Sequence, residues 1–297
     1  MCRPVRKSHK RIQRLSDAPC AGSHLYIKDR KMIFDTHTHY DDKAFQPDRA
    51  ELMQKLRENG IGKTVNASSD WESLENTRIL ADQYDFIFAA YGLHPENLDS
   101  VPEGMTEAQA LKAIRELLRT PKAAAVGEIG LDYYWEKDPE KQERQKHWFR
   151  LQLQLAREEK LPVIIHSRDA AEDTLRIAKE EKLGEIGGVI HCFSYSREIA
   201  AEYLKMGMFL GIGGVVTYKN SRKLKETVEM APLEQLVLET DCPYLTPVPN
   251  RGQRNSSLNL PYVIQAVAEI KGLPAEEVES ATWKNAHRLY RMDEIGL

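Results

Sequence analysis

Cysteine is scarce: four among 297 residues, Cys2, Cys20, Cys192 and Cys242, with no CxxC pair. No secretory apolar stretch is present either, which argues against a disulfide framework and makes a reducing cytoplasm the expected compartment. Cys192 and Cys242 read as packing residues, because neighbouring strand positions face opposite ways. No apolar run approaches the roughly 20 residues that span a bilayer, so a soluble chain with no membrane partner is expected. Between residues 32 and 292 nothing rich in Pro, Gly or Ser marks a linker, and no repeat stands out. The glycines of "GIGGVV" (211–216) lack the G-x-G-x-x-G order and a helix directly after it, so close strand packing accounts for them better than a dinucleotide loop.

Positive charge is short outside the first 31 residues. Those carry nine Lys and Arg against Asp17 and Asp29, a net of +7; the whole chain is −3, which leaves −10 for the rest. A basic segment poor in acids reads as a transit-type leader, a nucleic-acid arm, a flexible tail, or a stretch ahead of a natural start at Met32. The expectation is a basic, flexible extension over 1–31 and one domain over 32–297.

What is present after the leader is alternation. Apolar or β-branched runs at 32–39, 63–68, 87–94, 123–132, 162–169, 187–194, 209–217 and 236–245 suit parallel strands buried on both faces. Amphipathic stretches at 47–59, 107–119, 139–160, 170–183, 196–206, 220–230, 258–271 and 275–290 have helical spacing. Eight strand–helix units in this length predict an α/β fold of the (β/α)₈ TIM-barrel type, with a doubly wound sheet as the alternative.

Six chemistry-bearing residues fall at or near the carboxyl ends of these runs. His37 and His39 close the first, Glu128 the fourth, His166 the fifth, His191 the sixth and Asp241 the eighth. In a parallel barrel these ends open on one rim, where barrel enzymes assemble their sites. Four imidazoles and two carboxylates suit Zn, Mn, Fe or Co, whereas Mg prefers mostly oxygen. Six ligands exceed what one catalytic Zn takes, so two divalent ions sharing Glu128 are expected. Strand adjacency assigns His37, His39 and Asp241 to one ion and His166 and His191 to the other. Asp241 is also the expected acceptor of the attacking water's proton. Asp35 and Glu239, two residues before a ligand, each read either as an acid orienting an imidazole or as a member of a buried structural ion pair.

The blocks "FDTHTH", "YGLHPE", "VGEIGLDYY", "PVIIHSRDA", "GVIHCFS" and "LETDCPYLTPVPNRG", in this order from Met32 to about Met292, resemble the TatD family of metal-dependent hydrolases and nucleases. The resemblance implies a TIM barrel with a divalent pair held by His37, His39, Glu128, His166, His191 and Asp241. It implies an active-site contact for His94, and 3′–5′ exonuclease activity supported by Mg. Imidazole-rich donors favour Zn or Mn, so the ion bound and the ion that supports activity can differ.

DNA as substrate requires cations near the rim. Arg168, Lys219, Arg222, Arg251 and Arg254 are the candidates, and Tyr133, Tyr134 and Trp135 are candidates for stacking on a base. A net of −10 argues against broad binding of long duplexes. The expected function is thus a monomeric DNase acting on single strands or ends, with a metal-bound hydroxide as nucleophile. Hydrolysis of a small ester, amide or phosphoester at the same site is the first alternative, and a non-catalytic metal or nucleic-acid binding module is the second.

Overall fold

The computed structural model describes residues 32–292; the extension expected over 1–31 lies outside the described residues, as do 293–297. Eight strands pair in parallel in strict chain order: β1 (Ile33–Thr38), β2 (Ile61–Ala67), β3 (Ile87–Tyr91), β4 (Ala123–Asp132), β5 (Val163–Arg168), β6 (Gly188–Ile190), β7 (Phe209–Ile212) and β8 (Leu236–Leu238). The last meets the first. The Asp241 amide donates to the His37 carbonyl and the His39 amide to the Cys242 carbonyl, each at 3.0 Å, while Thr36 Oγ1 donates to the Leu238 carbonyl at 3.0 Å. The result is the expected (β/α)₈ barrel.

Around it run α1 (Arg49–Glu58), α2 (Trp71–Gln83), α3 (Glu107–Leu118), α4 (Pro139–Glu159), α5 (Ala171–Glu180), the single turn α6 (Leu183–Ile186), α7 (Arg197–Lys205), α8 (Arg222–Met230), α9 (Leu260–Lys271) and α10 (Ala275–Leu289). Their ends follow local chemistry. Thr106 and Gln109 form a capping box at the start of α3, Asp138 caps α4 with Pro139 as its first residue, and Gly272 ends α9 at φ +66°. The periodicity misses α2, because Ser73 and Thr77 occupy its buried face beside Leu74, Leu80 and Ala81 and dilute the apolar stripe. No helix among the described residues is long and apolar enough to cross a membrane.

Alternation along the strands builds two apolar layers. Phe34, Val65, Phe88, Ile164, Val189, Phe209 and Val237 fill the barrel, closed off by Ala286, Leu289, Tyr290 and Met292 from α10 and the turn after it. The opposite strand faces pack under the helices, with Ile61, Ile87, Val163, Ile190, Leu210 and Leu236 among them. Strands β6, β7 and β8 are shorter than their apolar runs, so His191 and Asp241 lie just past the last strand residues, Ile190 and Leu238.

One glycine fixes how closely β4 and β5 approach. Gly130 pairs with His166, has φ +146°, and an added Cβ would lie 1.9 Å from the His166 carbonyl oxygen. Substituting Gly130→Ala therefore combines backbone strain with a clash against main chain. It should lower the unfolding free energy by about 3 kcal/mol or more, read by urea denaturation; an unchanged midpoint would contradict this packing.

Candidate metal centre

Glu128 sits in β4 with its side chain 4 % exposed, and its two carboxylate oxygens face different histidines. Oε2 stands 3.3 Å from His37 Nε2 and 3.5 Å from His39 Nε2. Oε1 stands 2.9 Å from His166 Nδ1, 3.2 Å from His191 Nε2 and 3.7 Å from His94 Nε2. Across from Oε2, Asp241 Oδ1 lies 3.4 Å from His39 Nε2 and 3.7 Å from His37 Nε2. All six residues placed on the rim from sequence, and His94 with them, thus converge around one carboxylate.

Among the described residues, three overlapping groups have donor atoms close enough to hold a cation: His37, His39 and Asp241; His37, Glu128 and His191; His94, Glu128 and His166. The donor chemistry fits divalent metal. His39 Nδ1 donates to the Ala67 carbonyl at 2.9 Å, which leaves the Nε2 lone pair aimed at the cluster, the tautomer a ligand needs. His37 Nε2 comes within 3.0 Å of it. Two carboxylates buried among imidazoles demand positive charge, from protons or from a cation.

His94 differs from the others. Its Nδ1 accepts a hydrogen bond from the Glu96 amide at 3.2 Å, so the neutral ring carries its proton on Nε2, the atom that faces the centre. Burial, reinforced by the neighbouring His166, pushes its pKa down to about 3 and keeps it neutral. The ring is placed as a donor.

The ionisation states follow from burial and proximity. Burial opposes charge on His39, yet hydrogen bonds to Asp241 and Glu128 outweigh it and hold the ring well above its ordinary value. His191 is likewise held well above it, burial being overcome by Glu128 and then Glu239. Asp241 is pulled below the usual carboxylate range, burial being outweighed by the His39 hydrogen bond and by His191 and His37.

Beneath the cluster the two acids singled out from sequence diverge. Glu239 does face an imidazole, with Oε1 3.4 Å from His191 Nδ1; Gly211 makes room, since a Cβ there would lie 2.2 Å from Glu239 Oε2. Asp35 orients no imidazole and, among the described residues, joins no ion pair. Its carboxylate accepts from Thr240 Oγ1 at 2.7 Å, Ser257 Oγ at 2.6 Å and the Thr240 amide at 3.0 Å. The reason is a register shift in β1 between Asp35 and Thr38, which breaks the alternation that would align Asp35 with His37. Asp35 thereby fastens the segment carrying Asp241 to β1.

The substrate-facing candidates are sorted by their partners. Arg168 is exposed and lies 4.0 Å from the Tyr134 ring centroid and 5.6 Å from that of Trp135. Arg251 is exposed over Tyr218 at 4.1 Å. Tyr133 is only partly exposed and donates its hydroxyl to Asp173 at 2.8 Å. The open aromatic surface belongs to Tyr134 and Trp135, at 44 % and 63 %. Arg254 is committed to Asp48 through two hydrogen bonds, and Arg222 pairs with Glu226 at 2.7 Å. Asp132, in the "GEIGLD" block, was not singled out from sequence. It shares the strand face of Glu128 by the period of two, and its Oδ2 lies 2.9 Å from His166 Nε2.

Comparison with known proteins identifies the family. Residues 34–291 match the family model described as TatD related DNase. An uncharacterized metal-dependent hydrolase of Bacillus subtilis, YabD, is 42% identical over 262 residues, covering 88% of this chain and all of the relative. The 3′-5′ ssDNA/RNA exonuclease TatD of a Rahnella species is 32% identical over 88% of this chain and 98% of its own length. The crystal structure of YjjV, a TatD homologue from Escherichia coli, superposes with a TM-score of 0.80 at 32% identity, covering 87% of this chain and 98% of that one.

Metal uptake should release protons. His39 and His191 are held above their ordinary value and so are protonated at neutral pH in the metal-free protein, and a ring that becomes a ligand must lose that proton. Calorimetric titration of stripped protein with Zn²⁺ in buffers of different ionisation heat should show net proton release at neutral pH, with affinity rising as pH rises through and above the ordinary imidazole range. Affinity independent of pH would contradict these assignments.

Proposed function

The chain belongs to the TatD-related DNase family of metal-dependent hydrolases, and from that premise we propose that it hydrolyses phosphodiester bonds of single-stranded DNA or DNA ends, from the 3′ side, with two divalent cations. The observation that carries the reading is the division of Glu128: one oxygen toward His37 and His39, the other toward His166 and His191. A carboxylate so divided suits a ligand shared by two ions. The Rahnella relative named as a 3′-5′ exonuclease supports the substrate class and polarity. Donors rich in imidazole favour Zn or Mn for the resident ions, with Mg able to support activity.

In this mechanism His37, His39 and Asp241 would hold one cation and His166 and His191 the second, with Glu128 available to both. Divalent cations held there would supply Lewis acidity for the phosphoryl group and the attacking water. Asp241, ionised and with its side chain 18 % exposed, is the carboxylate open to the rim and accepts the proton of that water. His94 donates from Nε2 to a nonbridging phosphoryl oxygen. Arg168 and Arg251 hold the flanking phosphates, and the aromatic turn at 133–135 meets an unpaired base, chiefly through Tyr134 and Trp135. With −10 outside the first 31 residues, these local cations favour short strands and ends over long duplexes.

The test is protein stripped of metal, reloaded separately with Mg, Mn or Zn, and given 5′-labelled single-stranded DNA with free or blocked 3′ ends. A ladder shortening from free 3′ ends is expected, absent with the block and in His166→Ala. Arg168→Ala and Arg251→Ala should each raise KM about tenfold or more with kcat little changed. Intact DNA with every metal, despite stoichiometric uptake, would contradict the reading and favour a small ester, amide or phosphoester.

A further inference from the structure

Asp132 ends β4, is fully buried, and divides its carboxylate between two tasks. Oδ2 stands 2.9 Å from His166 Nε2, while His166 Nδ1 stands 2.9 Å from Glu128 Oε1. Oδ1 accepts from the backbone amides of Tyr134 and Trp135, each at 2.9 Å. The surrounding frame is tight: Gln145 from α4 accepts from the Asp132 amide at 2.9 Å and donates to the carbonyls of Asp132 and Pro95, each at 3.3 Å. Asp132 thus contacts both an imidazole of the metal centre and the turn bearing the exposed aromatics.

A neutral imidazole can carry its proton on either nitrogen, and the acceptor outside the centre decides which. Asp132 Oδ2 beside Nε2 and Glu128 Oε1 beside Nδ1 let the metal-free ring donate to both; when a cation replaces the proton at Nδ1, Asp132 keeps the remaining proton on Nε2. The same carboxylate folds Tyr134 and Trp135 back as a turn, over whose rings Arg168 lies. We propose that Asp132 is a positioning residue with two outputs: it presents Nδ1 of His166 to the divalent cation, and it fixes the Tyr134–Trp135 turn in register with that cation. The first output rests on the metal-centre reading and requires no particular substrate. Neither output depends on the DNase reading for its test.

Asp132→Asn separates the two outputs. Its carbonyl oxygen still serves the two backbone amides, but its NH₂ then meets Nε2 of His166, which can only accept, so the proton moves to Nδ1. Full-length stripped protein titrated with Zn²⁺ alone should bind about 10–100-fold more weakly in Asp132→Asn. The loss should vanish when the substitution is made in a His166→Ala background. The emission of Trp135, identified by comparison with Trp135→Phe, should stay as in the unsubstituted protein for Asp132→Asn and change in Asp132→Ala. Histidine ¹⁵N spectra of the unsubstituted, Zn-loaded protein provide a reading that needs no variant to fold: His166 should be protonated at Nε2 and metal-shifted at Nδ1.

Undiminished Zn²⁺ affinity in Asp132→Asn, an equal loss with and without His166, or a proton on Nδ1 in the spectra would each overturn the first output. Unchanged Trp135 emission in Asp132→Ala would overturn the second. Failure of DNA hydrolysis would leave all of these readings intact, so the two proposals fall separately.

Discussion

The constraint on which the rest depends is the burial of the Glu128 charge. A carboxylate removed from water is costly unless cations and hydrogen bonds surround it, and here five imidazoles do so, from His37, His39, His94, His166 and His191. No single element can supply that shell. It takes β1, the end of β3, β4, β5 and the end of β6, brought to one rim, and it takes closure between β8 and β1 to add Asp241. The main-chain bonds at that seam, from Asp241 to His37 and from His39 to Cys242, place ligands from opposite ends of the chain side by side. Asp35, bound to Thr240 and Ser257 behind them, locks the same seam.

Much of this arrangement was legible in the sequence, for identifiable reasons. The strands of a parallel barrel are apolar on both faces, so they announce themselves as runs, and each ligand marks a run's end. Shared position at a rim follows from topology alone, which is why six residues far apart in sequence could be grouped. The contacts beyond that group were harder. The alternation that should have aligned Asp35 with His37 fails at a register irregularity, and nothing in the local sequence signals it. Asp132 shares the face of Glu128 by the period of two, but that spacing does not separate it from a surface acid at a strand end; the fold shows both of its oxygens engaged inside. Helix α2 was hidden because Ser73 and Thr77, polar side chains, are buried in it.

The rim divides cations by commitment. Arg254 and Arg222 resemble Arg168 and Arg251 in sequence, yet the first two are tied to Asp48 and Glu226, whereas the second two lie over aromatic rings and expose their guanidinium groups. Tyr133 and Trp135 differ in the same way, one engaged with Asp173 and the other open. A domain otherwise net negative thus offers a few local positive and aromatic features next to a centre that needs cations, the features on which the proposed action on chain ends relies.

The claim that Glu128 is shared between two cations is tested most directly by diffraction from crystals loaded with Mn²⁺, using its anomalous scattering to locate each ion. The account predicts two peaks on either side of the Glu128 carboxylate, roughly 3.5–4 Å apart, one beside His37, His39 and Asp241 and the other beside His166 and His191. A single peak at full occupancy, or two peaks of which only one touches Glu128, would contradict it.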